Sequence, residues 1–197
     1  MKPSRFSVLI PAAGASTRLG QAKQLLRCGA VTLIEHAIAT AVACDPWEII
    51  VVTGASAVGV KAAAQDAPVR WVHNERWRDG LGASIATGAA EIDAGSSGVL
   101  IFLCDQWRVG AGDLQTLVSR WRSAPGRIVT AQAGGRYTPP AIFPSDWFAS
   151  LRALEGDRGA RSLLASLPGL VTAVPLENAG YDLDTPAHLE LLKNQSL

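Results

Sequence analysis

Four short stretches of this 197-residue chain hold residue types that could bind or move a charged ligand. In Ala12-Ala13-Gly14-Ala15-Ser16-Thr17-Arg18-Leu19-Gly20-Gln21-Ala22-Lys23, small residues let a ligand approach the backbone, and two cations follow in the same stretch. Exposed N–H groups together with cationic side chains suit phosphate. The stretch is not a P-loop, because Gly20 is followed by Gln21 and Ala22 where Lys and Ser or Thr are needed. The GxGxxG spacing of the dinucleotide fingerprint also fails, and Glu35, about 20 residues on, opens a helix. The plainer alternative is a glycine turn with two solvated cations. Residues 74–84 offer Asn74, Gly80, Gly82 and Ser84 just ahead of a helix. Backbone freed by glycine, an amide and a hydroxyl could read the polar edge of a base; equally, they could form a helix-start turn.

Asp105 follows the apolar run 99–103 and should emerge at the carboxyl edge of a sheet. A carboxylate there is placed to hold Mg²⁺, which takes one or two protein carboxylates and fills its octahedron with water and phosphate oxygens. Asp182-Leu183-Asp184-Thr185-Pro186 carries two more acids on alternate positions before a helix. Asp184 or Thr185 could instead serve only as the N-cap of that helix, with Pro186 in its first turn. Nucleophilic side-chain catalysis finds no support. His36, His73 and His188 fall in a helix, a strand end and the last helix, no GxSxG elbow is present, and Ser16 and Ser84 have no evident base. A phosphate monoester, largely dianionic at pH 7, would need no base to attack.

The elements that must carry these residues alternate. Apolar or β-branched runs at 6–11, 48–53, 69–73, 99–103, 127–131 and 171–175 read as strands. Segments 32–44, 58–65, 83–94, 114–121, 158–167 and 186–192 read as helices, the first opened by the capping-box spacing Thr32-x-x-Glu35. The pattern predicts an α/β protein with a mainly parallel sheet, helices on both faces and right-handed crossovers. Between Gly134 and Pro144 the prolines predict a small antiparallel or irregular excursion. Ligands of such sheets bind beyond the carboxyl ends of the strands, where all four stretches fall. With no repeat or linker, residues 1–197 read as one domain.

Composition narrows the partners. The chain is 48% hydrophobic and 18% charged with a net charge of +1, which excludes disorder and gives no basic face for nucleic acid. No run reaches the roughly 20 apolar residues of a membrane span. Lys2, Arg5 and the apolar run 6–13 resemble a signal peptide, but Pro11 interrupts the run and Arg18 and Lys23 follow closely. The three scattered cysteines, Cys28, Cys44 and Cys104, form no CxxC pair, so a cytoplasmic, reducing location is expected.

Pro11-Ala-Ala-Gly14 with Arg18, Gly20 and Lys23, then Gly80-Leu-Gly-Ala-Ser84, Leu103-Cys-Asp105-Gln106, Gly156-Asp-Arg-Gly-Ala-Arg161 and Asp182-Leu-Asp184-Thr-Pro186 occur in order over about residues 7–192. Together they resemble the molybdenum cofactor cytidylyltransferases, nucleotidyltransferases of glycosyltransferase-A-like, Rossmann-like three-layer α/β/α fold. The resemblance implies Mg²⁺-dependent transfer of CMP from CTP to the phosphate of molybdopterin, with release of pyrophosphate, for enzymes of the xanthine oxidase type. It implies nucleotide contacts from Ala12, Ala13, Gly14, Asn74, Gly80 and Ser84, and phosphate neutralisation by Arg18 and Lys23, with Asp105 beside them. Mg²⁺ would be held by Asp105 with Asp184, or with Asp182 instead. Residues 135–143 and 156–161 would line the acceptor pocket, where Asp157 and Arg136, Arg158 or Arg161 could meet the acceptor. A molybdoenzyme or its chaperone would be a transient partner. An Ala-Ala-Gly first loop accompanies cytosine in this family, and Gly-Gly guanine.

Two features depart from that pattern. Trp107 stands where the family has proline, and Pro11 gives a first loop like that of the cytidylyltransferase acting on methylerythritol phosphate, whose Asp-Ala-Ala-Arg-Pro stretch is absent here. The alternatives are accordingly cytidylyl transfer to methylerythritol phosphate or a sugar phosphate, or a noncatalytic cofactor-binding chaperone.

Overall fold

The computed structural model describes residues 5–165, 167, 169–183 and 186–193. Its strands are β1 (Phe6–Ala12), β2 (Arg27–Cys28), β3 (Val31–Thr32), β4 (Glu48–Thr53), β5 (Arg70–His73), β6 (Gly98–Ile101), β7 (Ile128–Ala133), β8 (Arg136–Pro144) and β9 (Val171–Pro175). The helices are α1 (Leu33–Val42), α2 (Ala57–Ala63), α3 (Leu81–Ala90), α4 (Ala111–Ser123), α5 (Phe148–Arg152), α6 (Ala160–Ala165) and α7 (Pro186–Lys193). Seven strands form one sheet in the order β5-β4-β1-β6-β8-β7-β9, and β2 pairs with β3 in a separate small hairpin. All pairings in the large sheet are parallel except the two made by β8.

The strands are apolar throughout because both sheet faces are covered. Alternation along β1 sends Val8, Ile10 and Ala12 to a core shared with α1, α2 and α4. Leu9 faces the opposite core, shared with α3, α5 and α6. At the edge of the first core Trp121 packs against Gly98, where a Cβ would lie 2.5 Å from Trp121 Cζ2, and meets Phe6 edge-on at 6.4 Å.

The excursion expected around the prolines is the nine-residue strand β8, which lies inside the sheet. Its prolines are accommodated by register. Thr130 pairs with Ala141 and Ala131 with Thr138, so Pro139 and Pro140 fall in a bulge without ladder partners, and Pro144 ends the strand.

Helix α1 begins as its sequence predicts: Thr32 Oγ1 accepts from Glu35 N at 3.3 Å, and the Glu35 carboxylate accepts from Thr32 N at 2.7 Å. Thr32 Oγ1 also donates to the Glu35 carboxylate at 2.7 Å, and this bond, with the one from Thr32 N, holds the carboxyl below its usual pKa. On the same helix His36 Nε2 donates to the Val109 carbonyl at 3.2 Å, and burial pulls the imidazole below its ordinary value, against that hydrogen bond.

The pH dependence of stability follows from both shifts. The unfolded imidazole titrates near 6.5 and takes up its proton first on acidification, so the stability His36 contributes is present above pH 6.5 and is lost as pH falls through that value. Glu35 adds a loss of the same sign below its ordinary 4.5. Thermal melts from pH 8 to 5 should show Tm declining below about pH 6.5, with a shallower decline in His36→Gln. Parallel profiles for the two proteins would contradict this assignment.

Candidate functional site

Strand β1 lies between β4, which follows it through α1, and β6, which the chain reaches only after β5 and α3. Strand order therefore reverses at β1, and a crevice opens above the carboxyl ends of β1 and β6. A cavity of about 700 Å³ occupies this place, lined among others by Gly14, Arg18, Lys23, Asp105, Arg161 and Asp182. A smaller one of about 250 Å³ adjoins it and shares Gly14, Lys23, Asp105 and Asp157, with Gly80, Ser84 and Cys104. The larger volume is in the range of small-molecule sites.

On the cavity floor Lys23 Nζ donates to Asp105 Oδ2, joining residues 82 positions apart. Asp105 is only 7% exposed, and this ion pair offsets the cost of burying its charge. Its other oxygen, Oδ1, is buried with no hydrogen-bond partner among the described residues. Leu183 N donates to the Asp105 carbonyl at 3.1 Å, which brings the neighbouring Asp182 to the same cavity. Arg161 bonds Thr138 Oγ1 at 3.0 Å and stands 4.0 Å from the Asp182 carboxylate.

The first loop is shaped by a residue that motif reading passed over. Gln24, 1% exposed, donates from Nε2 to the carbonyls of Ala12 at 3.0 Å and Gly14 at 2.9 Å. Two carbonyls can only accept, so the amide orientation is fixed. Ser16 Oγ accepts from Lys23 N at 3.1 Å and closes the loop. The signal in sequence was a lone amide inside the run 24–26, which spacing alone does not separate from a surface residue.

The Gly80-Leu81-Gly82 segment also has a packing role. Gly82 N donates to Gly156 O at 2.8 Å, and a Cβ on Gly82 would lie 2.7 to 2.8 Å from carbonyl oxygens of the turn 155–158. Close approach of two backbones, rather than contact with a base, requires glycine there. This docking brings Asp157 to the cavity wall.

Not every residue singled out in the sequence is brought to the cavities. Asn74 is 2% exposed, with its amide donating to Ser84 Oγ and its carbonyl accepting from Arg76 N, and it lines neither cavity. Its polar atoms are committed to holding the loop before α3. Arg136 sits exposed at the β7–β8 turn, paired across to Ala133, and lines neither cavity, so among these arginines the acceptor side is left to Arg161. Asp184 lies outside the described residues. Trp107, 1% exposed, is core. Burial and then the Asp105 charge push the Cys104 thiol up to about 12, which leaves no thiolate nucleophile at the site.

The family model of the MobA-like NTP transferase domain matches residues 8–171. The chain belongs to this family. The MobA-like domain here is 34% identical over 185 residues to nicotine blue oxidoreductase of Paenarthrobacter nicotinovorans, covering 88% of this chain and 89% of that one. It is 28% identical over 196 residues to the purine catabolism protein PucB of Bacillus subtilis, covering 92% and 93%. Among solved structures it is similar to Rv0371c from Mycobacterium tuberculosis H37Rv, with TM-score 0.84 and 25% identity over 99% of this chain and 100% of that one. Another structure of Rv0371c, a complex with manganese, has TM-score 0.77 at 24% identity over 98% and 99%. Arg18, Lys23 and Asp105 fall within the matched MobA-like span, and Asp182 lies beyond it. Among the described residues no helix is long and apolar enough to cross a membrane.

Proposed function

We propose that this protein transfers CMP from CTP to the terminal phosphate of molybdopterin bearing molybdenum, with Mg²⁺ and with release of pyrophosphate. The carrying observation is the Lys23–Asp105 pair on the floor of a cavity walled by the Gly14 loop and Asp182. Arg18, Lys23 and Arg161 line this cavity against Asp105, Asp157 and Asp182, so its fixed charges cancel. Cations beyond those of the protein are therefore needed to seat a triphosphate.

The donors fit a hard divalent ion. Asp105 Oδ1 is a buried oxygen without a partner among the described residues, and Asp182 lines the same cavity. Among the described residues no group of three or more His, Cys, Asp or Glu that could hold a metal occurs. One or two carboxylates suit Mg²⁺, whose remaining ligands are water and phosphate oxygens. When bound, the ion supplies charge neutralisation on the triphosphate.

The chain's own residues do the rest. Backbone at Ala12, Ala13 and Gly14, held by Gln24, faces the nucleotide, and Gly80 and Ser84 wall the adjoining smaller cavity beside its base. Arg18 and Lys23 take up charge that develops on the leaving pyrophosphate. Asp157 and Arg161 hold the acceptor phosphate. An oxygen of that phosphate bonds to the α-phosphorus of CTP while the bond from the α-phosphorus to the β-bridging oxygen breaks. The attacking group is already ionised near pH 7, so this chemistry needs no side-chain base.

A second reading, redox chemistry, has one observation behind it: the 34%-identical relative is named an oxidoreductase. Against a nicotinamide-dependent version stand the missing GxGxxG after β1 and the end of β4 at Thr53-Gly54, without an acidic residue. One assay separates the readings. Pyrophosphate release is followed with each of the four nucleoside triphosphates against molybdopterin, methylerythritol phosphate and sugar phosphates, with NAD(P)H consumption read in parallel. Release with CTP and molybdopterin, at least about tenfold faster than with GTP, is expected. CTP binding without release would identify a cofactor-binding chaperone, and NAD(P)H consumption alone the redox reading.

A further inference from the structure

The surroundings of Trp107 give it a task. Separate from the two cores on the sheet faces, a third apolar cluster is built of Cys28, Leu33, Trp107, Leu183 and Leu192, with Leu19, Leu26 and Leu189 packed against it. Three of these residues stand one or two positions from the charged groups of the site: Leu19 follows Arg18, Leu183 follows Asp182, and Trp107 lies two residues beyond Asp105. The chain around Trp107 grips the same segment polar group by polar group. The Asp105 carbonyl accepts from Leu183 N at 3.1 Å, and Gln106 Nε2 donates to Ala179 O at 2.9 Å. The Arg108 guanidinium stacks over Trp107 at 4.8 Å and over Tyr181 at 3.9 Å.

We infer that Trp107 is a positioning residue: its buried indole locks the Arg18 loop and the Asp182 segment onto the end of β6, and so sets the spacing between the site's cations and its carboxylates. Elements distant in sequence have no sheet ladder between them at this point, since β2 and β3 pair only with each other and residues 176–183 follow the last strand. Side-chain packing, with the hydrogen bonds from Leu183 N to Asp105 O and from Gln106 to Ala179 O, is what registers them. A smaller side chain at position 107 would leave the cluster without its largest member. Side chains that orient a ligand set without touching the ion commonly affect metal affinity by about 10–100-fold.

This inference rests on the reading of a divalent-ion and nucleotide site, and its test keeps the two apart. Mn²⁺ binding in the presence of CTP is measured by its paramagnetic resonance signal for the wild type, Trp107→Phe, Trp107→Leu and Leu192→Ala, alongside hydrogen exchange of segments 17–26 and 181–183. Leu192→Ala opens the same cluster from α7 and guards against a Trp107→Leu protein that fails to fold. Wild type and Trp107→Phe should agree within about threefold, whereas Trp107→Leu and Leu192→Ala should need about tenfold more Mn²⁺. In both weakened variants exchange should rise in the two segments and stay unchanged in β1 and β6. Equal Mn²⁺ binding and equal exchange in all four proteins would overturn the inference alone. A wild type that takes up no Mn²⁺ with CTP would overturn the site reading and the inference with it.

Discussion

Asp105→Asn is expected to lower turnover by about a thousandfold or more while leaving the fold intact. The amide keeps the shape of the carboxylate, so packing at the end of β6 is retained. What goes is the negative charge that faces Lys23 and the anionic oxygen available to a divalent ion. The stability change should be small for a buried ion pair, on the order of 1–2 kcal/mol, because the Lys23 side chain remains 21% exposed and can be hydrated once its partner is neutral. Circular dichroism should therefore match the wild type within a few degrees of Tm while pyrophosphate release disappears. Turnover within tenfold of wild type would remove Asp105 from the chemistry.

Gly80→Ala carries the largest expected stability effect. Gly80 has φ 111° and ψ −172°, a region open essentially to glycine. A Cβ there would stand 2.3 Å from Asp157 Oδ1 and 2.7 Å from the Gly156 carbonyl carbon and oxygen. The side chain of Asp157 could swing aside, but the backbone of 156 cannot move without separating the 155–158 turn from α3. Strain and overpacking together should cost about 2–4 kcal/mol, a Tm fall on the order of 5–15 °C for a chain of this size. Because Asp157 and Ala160 line the cavity through that same turn, activity should fall with stability. A Gly80→Ala protein melting within 2 °C of wild type, on the scale of under about 1 kcal/mol, would show that the turn has freedom not visible in its packing.

Much of this architecture was legible in the residues. The runs 48–53 and 171–175 become strands at those bounds, the first because an unbroken β-branched stretch of that length has few other fates. Thr32 caps α1 through the box its spacing implies. Asp105, following an apolar strand, does emerge at the carboxyl edge of the sheet, within reach of Lys23. The interior strand β8 was less legible, because three prolines in nine residues read as breakers. Only the bulge opposite β7, a property of the pair and not of the strand, frees two of them from the ladder. Asn74 and Gln24 show the same limit from the side of the site. Amide side chains near a glycine turn look alike in sequence, and their targets decide which holds the loop and which supports the helix start. Trp107 looked like a feature of the acceptor side, yet its neighbours in space, Leu183 and Leu192, lie more than 70 residues away and turn it into core.

The account turns on a triphosphate and a divalent ion sharing the crevice between Lys23 and the carboxylates. Calorimetric titration of CTP into the protein, with Mg²⁺ and again with excess chelator, addresses this most directly. Saturable one-to-one binding that weakens at least about tenfold without the ion, and is weaker for GTP than for CTP, is the predicted result. Titration curves indistinguishable with and without Mg²⁺, or no heat from any nucleoside triphosphate, would contradict it.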